Sequence, residues 1–181
     1  MQFEDITGDG RLWAVWYDGD SDNILSLTFN RWNDIGWLIE FFTDNKDDLA
    51  DYFRITNLNQ AVYDTLYDAG ELECLILDIN PDTDLNTVFR PLENSRTSEM
   101  VLGREKAKGN RVSRHSSWLR LYAIKFSSGS FLITGGAIKL TRAMREREHT
   151  LHELYRMEEV RNFLLDRGVT DLDSFVDLIN E

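Results

Sequence analysis

Arg142, Arg145 and Arg147 crowd a short segment that ends at His149, with Lys139 just upstream. Arginine grips phosphate through paired N–H bonds and stays charged, and histidine moves a proton near neutral pH. Arg120 and Lys125 lie further upstream, and Lys106, Lys108, Arg111 and Arg114 precede them. Together these groups meet the needs of metal-free RNA cleavage. A base activates the 2′-hydroxyl, cations stabilise charge on phosphorus, and an acid protonates the leaving oxygen. The same groups also describe a phosphate-binding surface with no chemistry. Residue types alone leave both readings open.

Other chemistries find less support. His115 falls in a polar stretch, and His152 reads as an exposed first-turn residue, so three scattered histidines do not make a metal site. Asp18-Gly19-Asp20-Ser21-Asp22 resembles a calcium loop only briefly. Asn23 and Phe29 stand where such a loop wants Gly and Glu. Cys74, the single cysteine, sits in Leu72–Leu77 and reads as a buried apolar residue. No cofactor is implied.

The net charge of −12 averages unlike segments. Residues 1–89 carry 4 Lys+Arg against 19 Asp+Glu, a net −15. Residues 90–147 carry 13 against 4, a net +9, and residues 148–181 carry 3 against 9, a net −6. A basic block inside an acidic chain suits a polyanion, or else pairs with the chain's own acids. The chain divides accordingly into an acidic strand and helix region, 1–89, and a basic hairpin with C-terminal helices, 90–181. The polar N-terminus is unlike a signal peptide, and no apolar run approaches a membrane span, so a cytoplasmic protein without membrane contact is expected.

The positioning elements follow from periodicity. Leu12–Tyr17 is rich in strand formers. Leu25, Leu27 and Phe29 alternate with Ser26 and Thr28, which predicts a second strand after a hairpin turn at Asp18–Asp22. Asn33 or Asp34 can cap a helix bearing Trp37, Leu38, Phe41 and Phe42, and Leu49, Tyr52 and Phe53 continue an amphipathic stretch. Asn57, with Gln60 three residues on, starts another helix that Gly70 is expected to end. Residues 90–117 are polar and predict mostly a long loop. Trp118–Phe126 and Phe131–Thr134 read as antiparallel strands joined through Ser127–Ser130, and Gly135-Gly136 allows a bulge or bend. Thr150 and Glu153 form a capping-box signature for a helix stopping near Gly168, and Thr170 or Asp171 starts a last short helix.

Trp118-Leu119-Arg120-Leu121-Tyr122, Phe131 to Thr141, and Arg145-Glu146-Arg147-Glu148-His149-Thr150 resemble the C-terminal part of RelE/HigB-type toxins, closest to their phage-derived branch. The resemblance spans roughly 90–167. It implies an α+β fold: a small antiparallel sheet with N-terminal helices and C-terminal helices. It also implies ribosome-dependent mRNA cleavage and inhibition by an antitoxin protein, expected to be of the helix-turn-helix kind. By position, Arg120 matches the basic residue of the central strand, and Lys139 the Lys after the returning strand. Arg145 or Arg147 matches the phosphate-stabilising arginine. His149 falls near an acid–base Tyr or His, and Lys106 and Lys108 match loop lysines. Arg111, Arg114, Lys125 and Arg142 would then contact RNA. Typical relatives are shorter and basic throughout, unlike the acidic half here. A non-catalytic module of a mobile element, binding RNA or protein, is the alternative.

Overall fold

The computed structural model describes residues 1–92, 102–108 and 115–181. The chain begins with an antiparallel pair, β1 (Gln2–Asp5) and β2 (Leu12–Trp16). Asp5 closes the turn between them by accepting the N–H groups of Gly8 and Gly10, each at 2.9 Å. Both glycines have positive φ, 72° and 76°, which a residue with a Cβ adopts only at a cost.

The segment expected as a second strand is helical. Helix α1 spans Ile24–Trp32, and the side chain of Asn23 caps it by accepting from Ser26 N–H at 3.0 Å. Its buried residues, Ile24, Leu25, Thr28, Phe29 and Trp32, follow helical spacing. Five residues of alternating hydrophobicity fit either period, and the cap decides for the helix. Asp18–Asp22 therefore leads into a helix rather than closing a hairpin. Asp34 caps α2 (Ile35–Asp44), which α3 (Lys46–Phe53) follows. Asn57 caps α4 (Leu58–Leu77) as the sequence suggests, but Gly70 does not end it. The buried stripe of Ala61, Val62, Ala69, Leu72 and Ile76 continues across the glycine. Burying even one large apolar side chain outweighs the roughly 1 kcal/mol that a mid-helix glycine costs. The same phase exposes Cys74, because at about 100° per residue it points away from both Leu72 and Ile76.

After the short α5 (Leu85–Val88) come β3 (Phe89–Pro91), β4 (Gly103–Ala107), β5 (Leu119–Lys125) and β6 (Phe131–Ile138). The sheet order is β1-β2-β6-β5-β4-β3. The fold is α+β, but its sheet is mixed rather than purely antiparallel, since β2 and β6 run parallel. The chain between them, which holds α1 to α5 and then β3 to β5, supplies the long connection that parallel strands require. The β5–β6 hairpin forms as its alternation predicts, closed by Phe126 N–H on the Ser130 carbonyl at 2.9 Å. The expected loop over 90–117 is interrupted by two short strands. In β4, buried Glu105 and Ala107 alternate with half-buried Arg104 and Lys106, a strand hidden by its polar composition.

Two glycines let helices close on both faces of β6. A Cβ at Gly136 would lie 2.6 Å from Thr28 of α1, and a Cβ at Gly135 would lie 1.8 Å from Glu153. Glu153 belongs to α6 (Glu148–Asp166), which follows a 3₁₀ turn at Met144–Glu146. The capping box expected at Thr150 and Glu153 is absent. The helix starts earlier, at Glu148, and Thr150 is buried with its hydroxyl donating to the Met144 and Arg147 carbonyls at 2.6 and 3.0 Å. Asp171 caps the last helix, α7 (Leu172–Asn180), whose Phe175 packs edge-on against Phe3 and Trp13. No helix among the described residues is long and apolar enough to cross a membrane.

Candidate polyanion-binding cleft

Strand register builds the site. Arg90 pairs with Lys106, Lys106 with Tyr122, and Tyr122 with Gly135. Side chains of directly paired residues share a face, so this row lies on the α6 side of the sheet. Alternation along β4 and β5 adds Arg104 and Arg120 to that face. Lys139 continues it, its N–H bonded to the Trp118 carbonyl at 2.8 Å.

These residues line a cavity of about 770 Å³. Arg90, Arg104, Lys106 and Lys108 form one wall. Arg120 and Tyr122 lie at the floor, and Lys139, Arg142 and Arg145 come from the segment entering α6. Eight cations line the cavity, and no carboxylate does among the described residues. Burial, and then the charge of Arg120, push the ammonium groups of Lys106, Lys108 and Lys139 below the usual lysine range. Burial likewise lowers Arg120, whose guanidinium is tied to the Ser117 and Leu119 carbonyls at 2.8 and 2.7 Å. Arg104 reaches Glu158 of α6 at 2.7 Å. The hydroxyl of Tyr122 is buried and makes no hydrogen bond. Burial pushes its pKa up, so it stays a neutral donor. Mutually repelling cations above an unsatisfied donor make a site complementary to phosphate.

The structure divides the residues suggested by sequence. Arg120, Lys139, Arg145, Lys106, Lys108 and Arg142 come together in this cleft. Arg147 does not join them, although it was expected to converge there. Its guanidinium turns to Asp48 of α3, with Nε at 2.6 Å and Nη2 at 2.5 Å from the carboxylate. His149 also departs from the expected cluster. Its Nε2 donates to the Ile138 carbonyl at 2.9 Å, its ring meets Phe41 edge-on, and it lines a separate cavity. The cause is helical phase: Leu154 faces the cationic cleft, whereas His149, His152 and Glu153 face the other flank of α6. Lys125 has the opposite strand parity to Tyr122 and lies near the Phe131 ring, outside the cleft. Arg111 and Arg114 lie outside the described residues. His115, read as a loop residue, stacks on Trp118 and bonds Asp64 at 2.9 Å.

Sequence reading missed Arg90, Arg104 and Tyr122 as site residues. The available signal was the i, i+2 spacing of Arg104, Lys106 and Lys108, which gives one cationic face on a strand. Among the described residues no group of His, Cys, Asp or Glu side chains is placed to hold a metal ion. No protein-family model, curated protein or solved structure matches the chain.

Proposed function

We propose that this protein is a toxin-like RNA-binding protein that grips backbone phosphates in the cationic cleft and cleaves RNA there without a metal. The observation that carries the reading is eight cations lining one cavity of a chain whose net charge is −12. Crowding cations into one cavity costs mutual repulsion and desolvation, which bound phosphate relieves. The resemblance to RelE/HigB-type toxins supports the same substrate, with mRNA on the ribosome as the natural form. An antitoxin would then inhibit by covering the cleft with acidic groups.

The cleavage step in this reading uses the cleft's own groups rather than His149 or Arg147. The 2′-oxygen attacks phosphorus as its proton passes to a neutral lysine amine, with Lys106 or Lys139 the candidates. The new 2′-O–P bond forms as the P–O5′ bond breaks. The 5′-oxygen takes a proton from the ammonium of the other lysine, leaving a 2′,3′-cyclic phosphate and a 5′-hydroxyl. The lowered ammonium pKa values of these lysines favour the base role, and the Tyr122 hydroxyl can donate to a phosphoryl oxygen. Binding without cleavage is the second reading, favoured by the cleft having no imidazole among the described residues.

End-labelled RNA, with and without ribosomes, tests both. Lys139→Glu should abolish cleavage and weaken binding at least tenfold, while Lys125→Glu, on the opposite face, should change neither. RNA bound but uncut by the wild type leaves the binding reading alone. Equal binding by the wild type and Lys139→Glu would remove the cleft from both.

A further inference from the structure

Helix α4 is the longest helix among the described residues, and one of its faces stands in solvent. Tyr63, Tyr67, Gly70, Cys74 and Leu77 lie along that face at steps of four, three, four and three residues. These are the d, a, d, a and d positions of a coiled-coil heptad, and they hold all five in one stripe. At 1.5 Å per residue the stripe is about 21 Å long. Leu77 is 73% exposed, Tyr63 64% and Tyr67 43%, and Cys74 is exposed between them. Single exposed apolar residues are ordinary, but a stripe of them in heptad register is a surface prepared for a partner. The opposite face of α4, with Thr65, Ala69, Leu72 and Ile76, packs into the chain's own core.

Gly70 marks the same stripe independently. A Cβ there would meet nothing within 4 Å, so packing inside this chain does not call for a glycine. A glycine within a helix costs about 1 kcal/mol against alanine. In return it lets a second backbone approach closely between Tyr67 and Cys74. The positions flanking the stripe select the partner. Glu71 and Asp78 stand at e and Glu73 at g, while Asp64 at e is already held by His115. Residues 55–89 carry seven Asp and Glu and no Lys or Arg. A second copy of this chain would set acid against acid along the seam, and RNA would be repelled for the same reason. A helix with Lys or Arg at its own e and g positions is complementary.

We infer that this face of α4 docks a basic amphipathic helix of a partner protein. The apolar stripe of that helix covers Tyr63, Tyr67, Cys74 and Leu77, and its flanking cations meet Glu71, Glu73 and Asp78. Tyrosine suits such a seam, because its ring buries a large area while its hydroxyl stays in water.

The probe is a synthetic helical peptide of about three heptads, with Leu at a and d and Lys or Arg at e and g. Its control has the same composition with the Leu positions scrambled. The amphipathic peptide should bind the full chain, and the control should not. Bound peptide should also slow alkylation of Cys74, the single cysteine, by N-ethylmaleimide in proportion to the sites filled. Leu77→Glu, and Glu71→Lys with Glu73→Lys, should each weaken the amphipathic peptide about tenfold, as loss of an interface anchor does. The thiol readout uses the wild type, so it stands even where a variant fails to fold. Failure of the amphipathic peptide to bind would overturn the seam. Equal binding of the two peptides would do so too, by reducing the attraction to net charge. A Cys74 that reacts as fast with peptide bound as without would move the binding elsewhere. Sedimentation covers the other occupant: a wild-type dimer that Leu77→Glu splits would assign the face to a second copy of this chain instead.

Discussion

Glu153 should make the stability of this protein depend on pH near neutrality. Burial raises its pKa to about 7 from an ordinary 4.5, against the opposing pull of Arg156, Arg31 and the Gly136 N–H. Below pH 4.5 the folded and unfolded chains both hold the proton, and the group contributes no difference. Between 4.5 and 7 the unfolded chain has released it while the folded chain keeps it, so stability falls as pH rises. The loss is complete above 7 and amounts to about 3 kcal/mol at roughly 1.4 kcal/mol per pKa unit. Glu153→Gln keeps the shape without the charge. Urea denaturation should find it more stable than wild type at pH 8 and equal to it at pH 4. Parallel stability curves for the two proteins would contradict this. Arg147 offers a second separation at this scale. Its partner Asp48 is 6% exposed, so Arg147→Ala leaves a buried carboxylate without its bidentate partner. A loss of about 1–3 kcal/mol is expected, with RNA affinity unchanged. A variant of full stability and weakened RNA binding would return Arg147 to the site.

Among the elements, β6 and α6 govern how the two cavities sit. Their approach depends on Gly135, where a Cβ would overlap the Glu153 carboxyl. Gly135→Ala should therefore destabilise by about 1–3 kcal/mol, as overpacking does. Pairing it with Glu153→Ala should recover much of the loss, and strict additivity of the two changes would show that they do not touch. The same elements show what sequence could reveal. The β5–β6 hairpin was legible because large apolar residues alternate around a Ser-Gly turn. Strand β4 was not, because its inward residues are Glu105 and Ala107, and its outward ones are cations that also suit a loop. Arg120, Lys139 and Arg145 were legible as one cluster because strand ends place them near the sheet's α6 face. His149 was misplaced because a helix turns each successive residue by about 100°. Its direction depends on where α6 starts, and the Thr150 and Glu153 signature put that start too late. Those two residues look inward, one to the turn before the helix and the other to β6.

Across the whole molecule, the acidic and basic segments share one sheet: β1 and β2 come from the acidic part, and β2 pairs with β6 of the basic part. Arg147–Asp48 and His115–Asp64 join the two, yet eight cations still line a cavity without a carboxylate among the described residues. Surrounding negative charge should repel nucleic acid at long range and leave the cleft to act within about a Debye length. The most direct test is the salt dependence of single-stranded RNA binding by the wild type and by a Lys106→Glu/Lys139→Glu double variant. If about four phosphates are neutralised in the cleft, a plot of log affinity against log salt should have a slope of about −3 for the wild type, falling towards zero for the double variant. A wild type that binds no RNA at low salt, or a double variant with the wild-type slope, would contradict the cleft as the functional site.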